Sequence, residues 1–516
     1  MPLPPFSGRR KLAWLLSVVL IAGLVGCSDG SSSRISYAGA SCPQPNFPGV
    51  PQADLGSNYT CGYLTVPENR DDPKSRTIRI LVARVKAASN TPKPDPIVFL
   101  AGGPGGAGTL NAPAVVAAGM NADRDVIFVN QRGTVHSDPH LGCPEMDDFT
   151  TRAVQLEFQA PATADLDAAA VAACRNRLST SGADFAAYDT RENAADIADL
   201  REQLGIDQWN VYGVSYGTDL AQQLLRDHPK GIRSVVLDSV VAPHVNIVDH
   251  WWEAPASGLA AIFVACANQP ACASAYPNLP AVFLDTVTRL SQNPMEVTTP
   301  MPTGEPTSVR IDGFKVIPLV LDWSAEPAKV VDIPRMIVDL SRGDGALAAA
   351  GIAAGAPSKS ERGLLGAGLA LGAYCQEMAA WTNPDQALSQ ARRAMPGLPD
   401  SVLRITPTGS WIFRECQAWG LGRSDTADTV PVLSKVPTLI LSGSFDSSTA
   451  PQWVKEVTPG LTNSVALRFP GVGHGVIPTS ACAQQIMTAF VDNPSTDVDQ
   501  SCIGHTAIPT FSLPQG

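Results

Sequence analysis

Short apolar segments alternate with helix-like segments from about residue 62 to residue 241. The first two, CGYLTV and TIRILVARV, predict an opening hairpin. Four later runs are bounded by turn residues, as is typical of buried parallel strands: DPIVFL, DVIFVN, WNVYGV and IRSVVLDSVV. Between them, ENAADIADLREQLG places Ala194, Ile197, Leu200 and Leu204 on one face of a helix that ends at a glycine. This pattern predicts an α/β fold with a mostly parallel sheet.

The pattern changes between residues 242 and 430. This segment is rich in Ala, Gly, Pro and Trp, has helical patches and shows no strand alternation. Strand-like runs return in PTLILSGSFD and SVALRFPGVGH. The economical interpretation is one α/β core made of residues 42–241 and 431–516. A mainly helical cap of residues 242–430 is inserted after the sixth strand.

An export signal is predicted at residues 1–26. Three basic residues precede LAWLLSVVLIAGLVG, an apolar run too short for a comfortable membrane span. The run ends in LVGC, and small residues before a cysteine are typical of a lipoprotein cleavage site. We therefore expect Cys27 to carry a lipid and residues 27–41 to form a flexible tether to a membrane of the cell envelope. An uncleaved anchor helix is the alternative.

Composition and charge exclude two classes of protein. The chain has 516 residues, of which 44% are hydrophobic and 16% charged, which fits a globular protein and not a mostly disordered one. The formal net charge is −11, and the body of the chain has no cluster of lysine and arginine. A nucleic-acid partner is therefore not expected.

The cysteines favour an oxidising compartment. Eleven are present, and assigning Cys27 to the lipid leaves an even number. Pairing the remainder with their neighbours along the chain suggests Cys42–Cys61, Cys143–Cys174, Cys266–Cys272, Cys375–Cys416 and Cys482–Cys502. Spacing alone does not fix this connectivity. A metal site is the alternative, but the sequence has no CxxC pair and no HExxH motif, so no metal is predicted.

The segment GVSYG at residues 213–217 is the strongest candidate for a nucleophile. A Gly-x-Ser-x-Gly pattern is weak alone, but here a strand-like run precedes it and TDLAQQLLRDHP predicts a helix after it. A strand–turn–helix context exposes the serine hydroxyl and directs the helix N-terminus at it. We expect Ser215 to be the nucleophile and the N–H of Tyr216 to be one oxyanion donor. The alternative is an ordinary turn serine.

The base and the acid should follow in the order Ser, Asp, His. His474 lies in FPGVGHGV directly after an apolar run, whereas His505 lies in the C-terminal tail and is expected at the surface. The acid is expected in LILSGSFDSSTAP, which supplies Asp446. Asp238, in the strand-like run one strand earlier, is the alternative candidate for the acid. Asp446 is favoured because its strand ends in a loop, while Asp238 is followed by further strand-like sequence.

The second oxyanion donor is expected from the loop in IVFLAGGPGGAG, and we choose the N–H of Gly103. Gly103, Gly105 and Gly108 also match the spacing of a dinucleotide fingerprint. Pro104 removes a backbone donor there, the strand does not open a βαβ unit, and an exported protein rarely meets NAD. No cofactor is therefore predicted.

These motifs together resemble a known family. LAGGPGGAG resembles the oxyanion loop of that family, which contains GGPG, and NQRGTVHSDP resembles its DQRG segment. GVSYGT resembles its nucleophile elbow, and GVGHGV resembles its histidine loop. GSFDSSTAP resembles its acid loop and has Thr449 three residues after the aspartate. The chain resembles α/β-hydrolase peptidases related to prolyl iminopeptidase, closest to the secreted tripeptidyl-aminopeptidase-like group with a TAP-like C-terminal domain. The resemblance implies an α/β-hydrolase fold and the triad Ser215, Asp446 and His474. Ala101 and Asn130 depart from the His and Asp that family members often carry.

The sequence thus predicts an exported serine peptidase that removes short peptides from free N-termini through an acyl-enzyme. A carboxylesterase or lipase would share every catalytic residue and differ in the cap. A catalytically silent surface lipoprotein is the third possibility. Peptides or small esters are the expected substrates.

Substrate choice is expected to come from the cap. An aminopeptidase needs an anion for the free amine, because a buried ammonium without a partner is costly. LGAYCQEMAA resembles a C-x-acid segment of related enzymes, which nominates Glu377, with Glu253 and Glu415 as alternatives. Six tryptophans are candidate cavity walls, although most are expected in the core, and Trp419 is nominated among them: Trp251, Trp252, Trp323, Trp381, Trp411 and Trp419.

Overall fold

The computed structural model describes residues 34–44, 55, 58–358, 361–424, 430–495 and 497–514. The predicted signal peptide of residues 1–26 and the predicted lipidation site Cys27 lie outside these residues. In chain order the strands are β1 (Ser36–Ala40), β2 (Tyr59–Pro67), β3 (Thr77–Val85), β4 (Ile97–Leu100), β5 (Val126–Val129), β6 (Trp209–Val214), β7 (Ile232–Asp238), β8 (Met295–Pro300), β9 (Pro306–Ile311), β10 (Thr438–Gly443) and β11 (Ser464–Phe469).

The α-helices flank these strands and fill the long connection between β7 and β10. They are α1 (Gly108–Ala117), α2 (Pro144–Ala153), α3 (Pro161–Ser179), α4 (Thr190–Gln203), α5 (Tyr216–Asp227), α6 (Ile247–His250), α7 (Glu253–Ala267), α8 (Pro270–Ala275), α9 (Leu279–Gln292), α10 (Val316–Ala325), α11 (Ile333–Ser341), α12 (Ala346–Ala354), α13 (Ala367–Ala373), α14 (Pro384–Ala394), α15 (Asp400–Leu403), α16 (Ile412–Trp419), α17 (Val454–Val457), α18 (Val476–Thr479) and α19 (Ala481–Asp492).

Among the described residues, nine strands form one sheet in the order β1-β2-β3-β5-β4-β6-β7-β10-β11. The pairings β1–β2, β2–β3 and β3–β5 are antiparallel, whereas every pairing from β5 to β11 is parallel. Strands β4, β5 and β10 are buried along their whole length. Helices on both faces of a parallel sheet produce this burial. The predicted α/β architecture with a mostly parallel sheet is confirmed.

Successive residues of the central strands point to opposite faces of the sheet. Val98 and Val211 pack on one face with residues of α4 and α5. Phe99 and Tyr212 pack on the other face with residues of α1 and α19. Both faces are therefore filled by apolar contacts, which leaves the strand ends as the place for polar chemistry.

The helix predicted from ENAADIADLREQLG is α4. Ala194, Ile197 and Leu200 are buried against the sheet, and Leu204 packs there at the helix end. Asp189 caps the helix, because its carboxylate accepts a hydrogen bond of 2.7 Å from the N–H of Glu192. The amphipathic face read from the sequence is therefore the face that the structure buries.

The connection from β7 to β10 is mainly helical and builds a core of its own around residues such as Phe283, Ile317 and Ile337. It also contains an antiparallel hairpin of β8 and β9, which the sequence pattern of residues 242–430 did not indicate. Pro300 and Pro306 pair with each other at the turn of this hairpin. A two-stranded hairpin has two edges, and edge strands tolerate terminal prolines.

The predicted tether of residues 27–41 is wrong over its last part. Ser36–Ala40 form β1, which pairs antiparallel with Cys61–Thr65 of β2. A Cβ added at Gly62 would lie 2.4 Å from the ring of Tyr37, so this glycine makes room for the tyrosine. The sequence SYAGA does not indicate a strand, because an exposed edge strand needs no alternation of hydrophobic and polar residues. Since β1 precedes the strands predicted from the sequence, the helical insertion follows the seventh strand.

Five disulfides join the pairs suggested by neighbouring cysteines: Cys42–Cys61, Cys143–Cys174, Cys266–Cys272, Cys375–Cys416 and Cys482–Cys502. This pairing is confirmed. Within the described residues, no helix combines the length and the hydropathy that crossing a bilayer requires.

Two buried carboxyl groups meet between α3 and α16. Asp167 is 5% exposed and Glu415 is 6% exposed, and their carboxyl groups interact electrostatically. Burial raises the pKa of both groups, and the charge of Asp167 raises that of Glu415 further. Two buried carboxyl groups that interact are most stable when one of them holds a proton. The contact of α3 with α16 therefore depends on pH.

Stability is expected to fall as the pH rises. A carboxyl group whose pKa is raised in the folded state stabilises it below the unfolded-state pKa, and this contribution is lost as the pH rises through the folded-state value. Glu415→Gln should reduce the fall in unfolding free energy between pH 5 and pH 8 by about 2 kcal/mol. Urea unfolding at pH 5 and at pH 8 measures this change in the unfolding free energy. Asp165→Asn, on the exposed side of α3, should leave the slope unchanged, and equal slopes for wild type and Glu415→Gln would contradict the assignment.

Candidate active site

Ser215 lies in the turn between β6 and α5. Its φ of 57° and ψ of −127° lie in a region that residues with a side chain rarely adopt. Its N–H donates to the carbonyl of Asp238 at 3.0 Å, and its own carbonyl accepts from the N–H of Thr218 at 2.8 Å. These bonds hold the strained turn, and the serine side chain stands above the strand ends as the motif predicts.

Glycines flank Ser215 because the turn is crowded by backbone. A Cβ at Gly213 would lie 2.2 Å from the carbonyl oxygen of Gly217, and one at Gly217 would lie 2.1 Å from that of Leu100. A third glycine, Gly102, would bring a Cβ within 2.8 Å of Ser215 Cβ. The spacing of the motif therefore follows from contact between β4, β6 and α5.

Asp446 and His474 lie in the loops that follow the neighbouring parallel strands β10 and β11. His474 Nδ1 lies 3.1 Å from Oδ1 and 3.0 Å from Oδ2 of Asp446. Asp446 is fully buried, while the His474 side chain is 20% exposed. The pair has the arrangement of an orienting acid and a base.

The Asp446 carboxylate accepts further hydrogen bonds from its own loop. The N–H groups of Ser448 and Thr449 donate to Oδ1 at 2.9 and 2.8 Å, and Thr449 Oγ1 donates to Oδ2 at 2.7 Å. Burial opposes ionisation of this carboxyl, but the charge and hydrogen bond of His474, together with Thr449, lower its pKa below the ordinary value. Asp446 is therefore held as a carboxylate.

Two opposing effects set the pKa of His474. Burial alone would lower it, but the Asp446 carboxylate, through its charge and its hydrogen bond, raises the pKa above the ordinary value. An imidazole with a raised pKa accepts a proton more readily, which suits a base.

Ser215 and His474 line the same cavity. Among the described residues no hydrogen bond joins their side chains, so the acid–base link is formed here and the base–nucleophile link is not. In unliganded enzymes such contacts are often long and tighten when substrate binds.

Asp238, the alternative candidate for the acid, binds backbone N–H groups in the structure. Its two oxygens accept hydrogen bonds from the N–H groups of Val476 and Ile477 at 2.8 and 2.9 Å, and burial raises its pKa to about 6. The neighbouring Ser239 accepts from the N–H of Gly475 at 2.9 Å. Asp238 therefore anchors the start of α18, directly after His474, and Asp446 is the acid bonded to the histidine.

The two candidate oxyanion donors lie on the same cavity as Ser215. Gly103 has a φ of 123°, a conformation that favours glycine, and its carbonyl accepts a hydrogen bond of 3.0 Å from the Tyr374 hydroxyl. In the described part of the chain, neither the Gly103 N–H nor the Tyr216 N–H donates to a protein acceptor. Both donors are thus available to a ligand.

The cavity has a volume of about 290 Å³ and combines strand-end loops with the helical insertion. It is lined by Gly103, Ser215, Tyr216, Asp219, Val241, Ile247, Trp251, Tyr374, Met378, Thr408, Ser448, Thr449, Trp453 and His474. Of the nominated tryptophans, Trp251 is present. Trp453 and Asp219 were not anticipated, although Asp219 stands only four residues after the serine.

Glu377 does not line this cavity. Its carboxylate accepts hydrogen bonds from Thr190, from the N–H at 2.6 Å and from Oγ1 at 2.8 Å, and Thr190 Oγ1 in turn lies 2.9 Å from the Tyr216 hydroxyl. The nomination failed because Tyr374–Met378 form one π-helical turn. The first and last residues of this turn line the cavity, and Glu377 points behind the elbow.

The other nominated residues also lie away from the cavity. Trp419 is fully buried, with its ring 5.0 Å from that of Phe185. Glu415 belongs to the buried carboxyl pair, and Glu253 accepts a hydrogen bond of 2.9 Å from Trp453 Nε1. His505 is exposed, as expected.

Two family models match the chain. The model of the alpha/beta hydrolase fold matches residues 95–285, and that of TAP-like proteins matches residues 402–502, beginning inside the predicted cap. The chain is an α/β-hydrolase with a TAP-like C-terminal domain.

Named relatives support the same family. Serine protease Hip1 of Mycobacterium tuberculosis is 24% identical over 515 residues, which cover 95% of this chain and 96% of the relative. Tripeptidyl aminopeptidase of Streptomyces lividans is 31% identical over 211 residues, which cover 39% of this chain and 38% of the relative. The similarity to Hip1 thus spans nearly the whole length of both chains.

The crowding around the elbow predicts a large effect of one methyl group. Gly217→Ala should lower the unfolding free energy by about 2 kcal/mol or more, because the added Cβ meets the backbone of β4 rather than a side chain that can move. Urea denaturation measures the loss. Gly422→Ala is the matched control, since nothing lies within 4 Å of its Cβ position. Equal stability of the two variants would contradict the steric assignment.

The raised pKa of His474 predicts a pH profile. A neutral imidazole is needed to activate Ser215, so labelling by a fluorophosphonate should rise with pH around a midpoint above about 6.5. Asp446→Asn removes the charge that raises the pKa. Its midpoint should shift to lower pH, and its plateau should fall roughly 10³-fold or more. The exposed Asp497→Asn is the control, and an unshifted midpoint in Asp446→Asn would contradict the pairing.

Proposed function

We propose that this protein is an exported serine peptidase that cleaves short peptides from free N-termini through an acyl-enzyme. The observation that carries the proposal is the hydrogen-bonded pair of Asp446 and His474 on the cavity that also holds Ser215. Similarity to Hip1 and to tripeptidyl aminopeptidases, which are named as peptidases, favours a peptide over other acyl substrates.

The proposed reaction proceeds in two halves. His474 takes the proton of the Ser215 hydroxyl, whose oxygen attacks the scissile carbonyl carbon. The N–H groups of Gly103 and Tyr216 stabilise the negative oxygen, and His474 returns the proton to the leaving amine. Water then loses a proton to His474 and attacks the acyl carbon, the bond from that carbon to the Ser215 oxygen breaks, and His474 returns the proton to Ser215. Asp446 stays ionised throughout and orients the imidazole.

The helical insertion would select the substrate. It contributes Ile247, Trp251, Tyr374, Met378 and Thr408 to the cavity, opposite the loops that carry the triad. An acyl group attached to Ser215 would therefore contact both parts of the chain.

Export and lipid anchoring complete the proposal. Five disulfides favour an oxidising compartment, and the predicted signal at residues 1–26 would deliver the chain there with Cys27 as its lipidated first residue. The enzyme would then work from a membrane surface of the cell envelope.

A pair of assays tests the proposal. The protein should react with a fluorophosphonate at Ser215, and Ser215→Ala should lose at least roughly 10³-fold of the labelling rate. Peptide anilides with a free amine should be cleaved faster than N-blocked peptide anilides. When each enzymatic rate is divided by the spontaneous hydrolysis rate of the same substrate, these anilides should also exceed matched nitrophenyl esters.

Each outcome separates one alternative. Failure to label Ser215 would remove both enzyme hypotheses and leave the silent lipoprotein. Equal cleavage of free and blocked peptides would remove the aminopeptidase assignment. Hydrolysis of esters with no cleavage of any anilide would favour the carboxylesterase or lipase.

A further inference from the structure

Asp219 carries the only carboxylate among the described residues that line the cavity around Ser215. It is 2% exposed and lies in the first turn of α5. A carboxylate in that turn also complements the helix dipole. The cavity, however, gives it a face toward the substrate, and the proposed mechanism does not use it.

The distance between Asp219 and Ser215 limits what the carboxylate can contact. The two residues are four positions apart, and the carbonyl of Ser215 already accepts the first hydrogen bond of the helix. Ser215 precedes α5 and has a non-helical backbone, but it lines the same cavity of about 290 Å³ as Asp219. An acyl residue attached to Ser215 therefore enters the cavity that the Asp219 carboxylate lines.

The small size of this cavity favours contact between the Asp219 carboxylate and one residue of a peptide. Each further residue adds about 3.3–3.6 Å of extended chain, so an amine two residues upstream would lie about 7 Å farther away. The carboxylate can reach the amine or the side chain of the residue that forms the acyl-enzyme. The N-terminus of a longer acyl peptide would lie farther from it.

Aromatic rings complete the surroundings of the carboxylate. Trp251, Tyr374 and Trp453 line the same cavity, and the rings of Trp251 and Tyr374 lie 5.5 Å apart in an edge-to-face contact. Burial raises the pKa of the Tyr374 hydroxyl, and the charge of Asp219 raises it further, so the two groups interact. A carboxylate beside aromatic rings is a favourable environment for an ammonium or guanidinium group.

We propose that Asp219 and these rings form a cation-binding subsite for the acyl residue. The cation is either the α-ammonium of a single N-terminal residue or a basic side chain at that position. This inference rests on the proposed function in that it assumes acylation of Ser215, and it narrows the substrate to peptides or amides with a positive charge next to the scissile bond.

The test uses phosphonate probes, which require the nucleophile but no turnover of peptides. Four diphenyl phosphonates form two matched pairs: the alanine analogue with a free or an acetylated amine, and the acetylated lysine or norleucine analogue. Wild type should react about tenfold or more faster with the charged member of at least one pair. The free-amine pair reports the α-ammonium, and the lysine pair reports the basic side chain.

Variants assign the preference to the carboxylate. Asp219→Asn should bring the charged-to-neutral rate ratio close to one, whereas Asp219→Glu, which keeps the charge, should retain a preference. Asp227→Asn, at the other end of the same helix, should leave the ratio at its wild-type value. Thermal unfolding of each variant separates a change in selectivity from a loss of folded protein.

Several results would overturn the inference. They are a wild-type ratio near one for both pairs, an unchanged ratio in Asp219→Asn, or an equal loss of rate with all four probes, which would assign Asp219 to the stability of the elbow. A strong charge preference without cleavage of any peptide anilide would reject the peptidase proposal and keep the subsite. Absence of labelling at Ser215 would overturn both.

Discussion

The close approach of α5 to the end of β4 governs the site. Gly217 lies so near the carbonyl of Leu100 that a single Cβ would stand 2.1 Å from that oxygen. This contact fixes the start of the helix against the loop that carries Gly102 and Gly103, and it requires the unusual backbone conformation of Ser215. The turn at Ser215, the loop of Gly102 and Gly103 and the start of α5 are consequently held together by close backbone contacts.

The order of strands in the sheet brings Asp446 and His474 to this turn. β7, β10 and β11 are parallel neighbours, so the loops after them open at the same edge. Asp446 binds the imidazole of His474, and Asp238 binds the backbone just after it. Two buried carboxylates from adjacent strands thus fix one histidine, the first by its ring and the second by its main chain.

The sequence predicted what depends on short motifs and missed what depends on packing. Ser215 and Asp446 follow the buried strands β6 and β10, and His474 follows the edge strand β11, so a local strand-and-loop signal was enough to single them out. Glu377 failed because a π-helical turn rotates it away from the cavity, and no periodicity in the sequence encodes that turn. The edge strand β1 was missed because it becomes a strand by pairing with β2, while its own sequence has no strand pattern. Asp219 was visible beside the serine, but its role depends on which face of α5 borders the cavity.

The disulfide Cys375–Cys416 joins the π-helical turn to α16. The residue before Cys375 is Tyr374, whose ring forms a cavity wall and whose hydroxyl bonds the carbonyl of Gly103. Oxidation of two thiols therefore fastens a wall of the binding pocket to the helix that TAP-like proteins share. Under reducing conditions this covalent brace would be lost, and the cavity wall formed by Tyr374 would depend on noncovalent contacts alone.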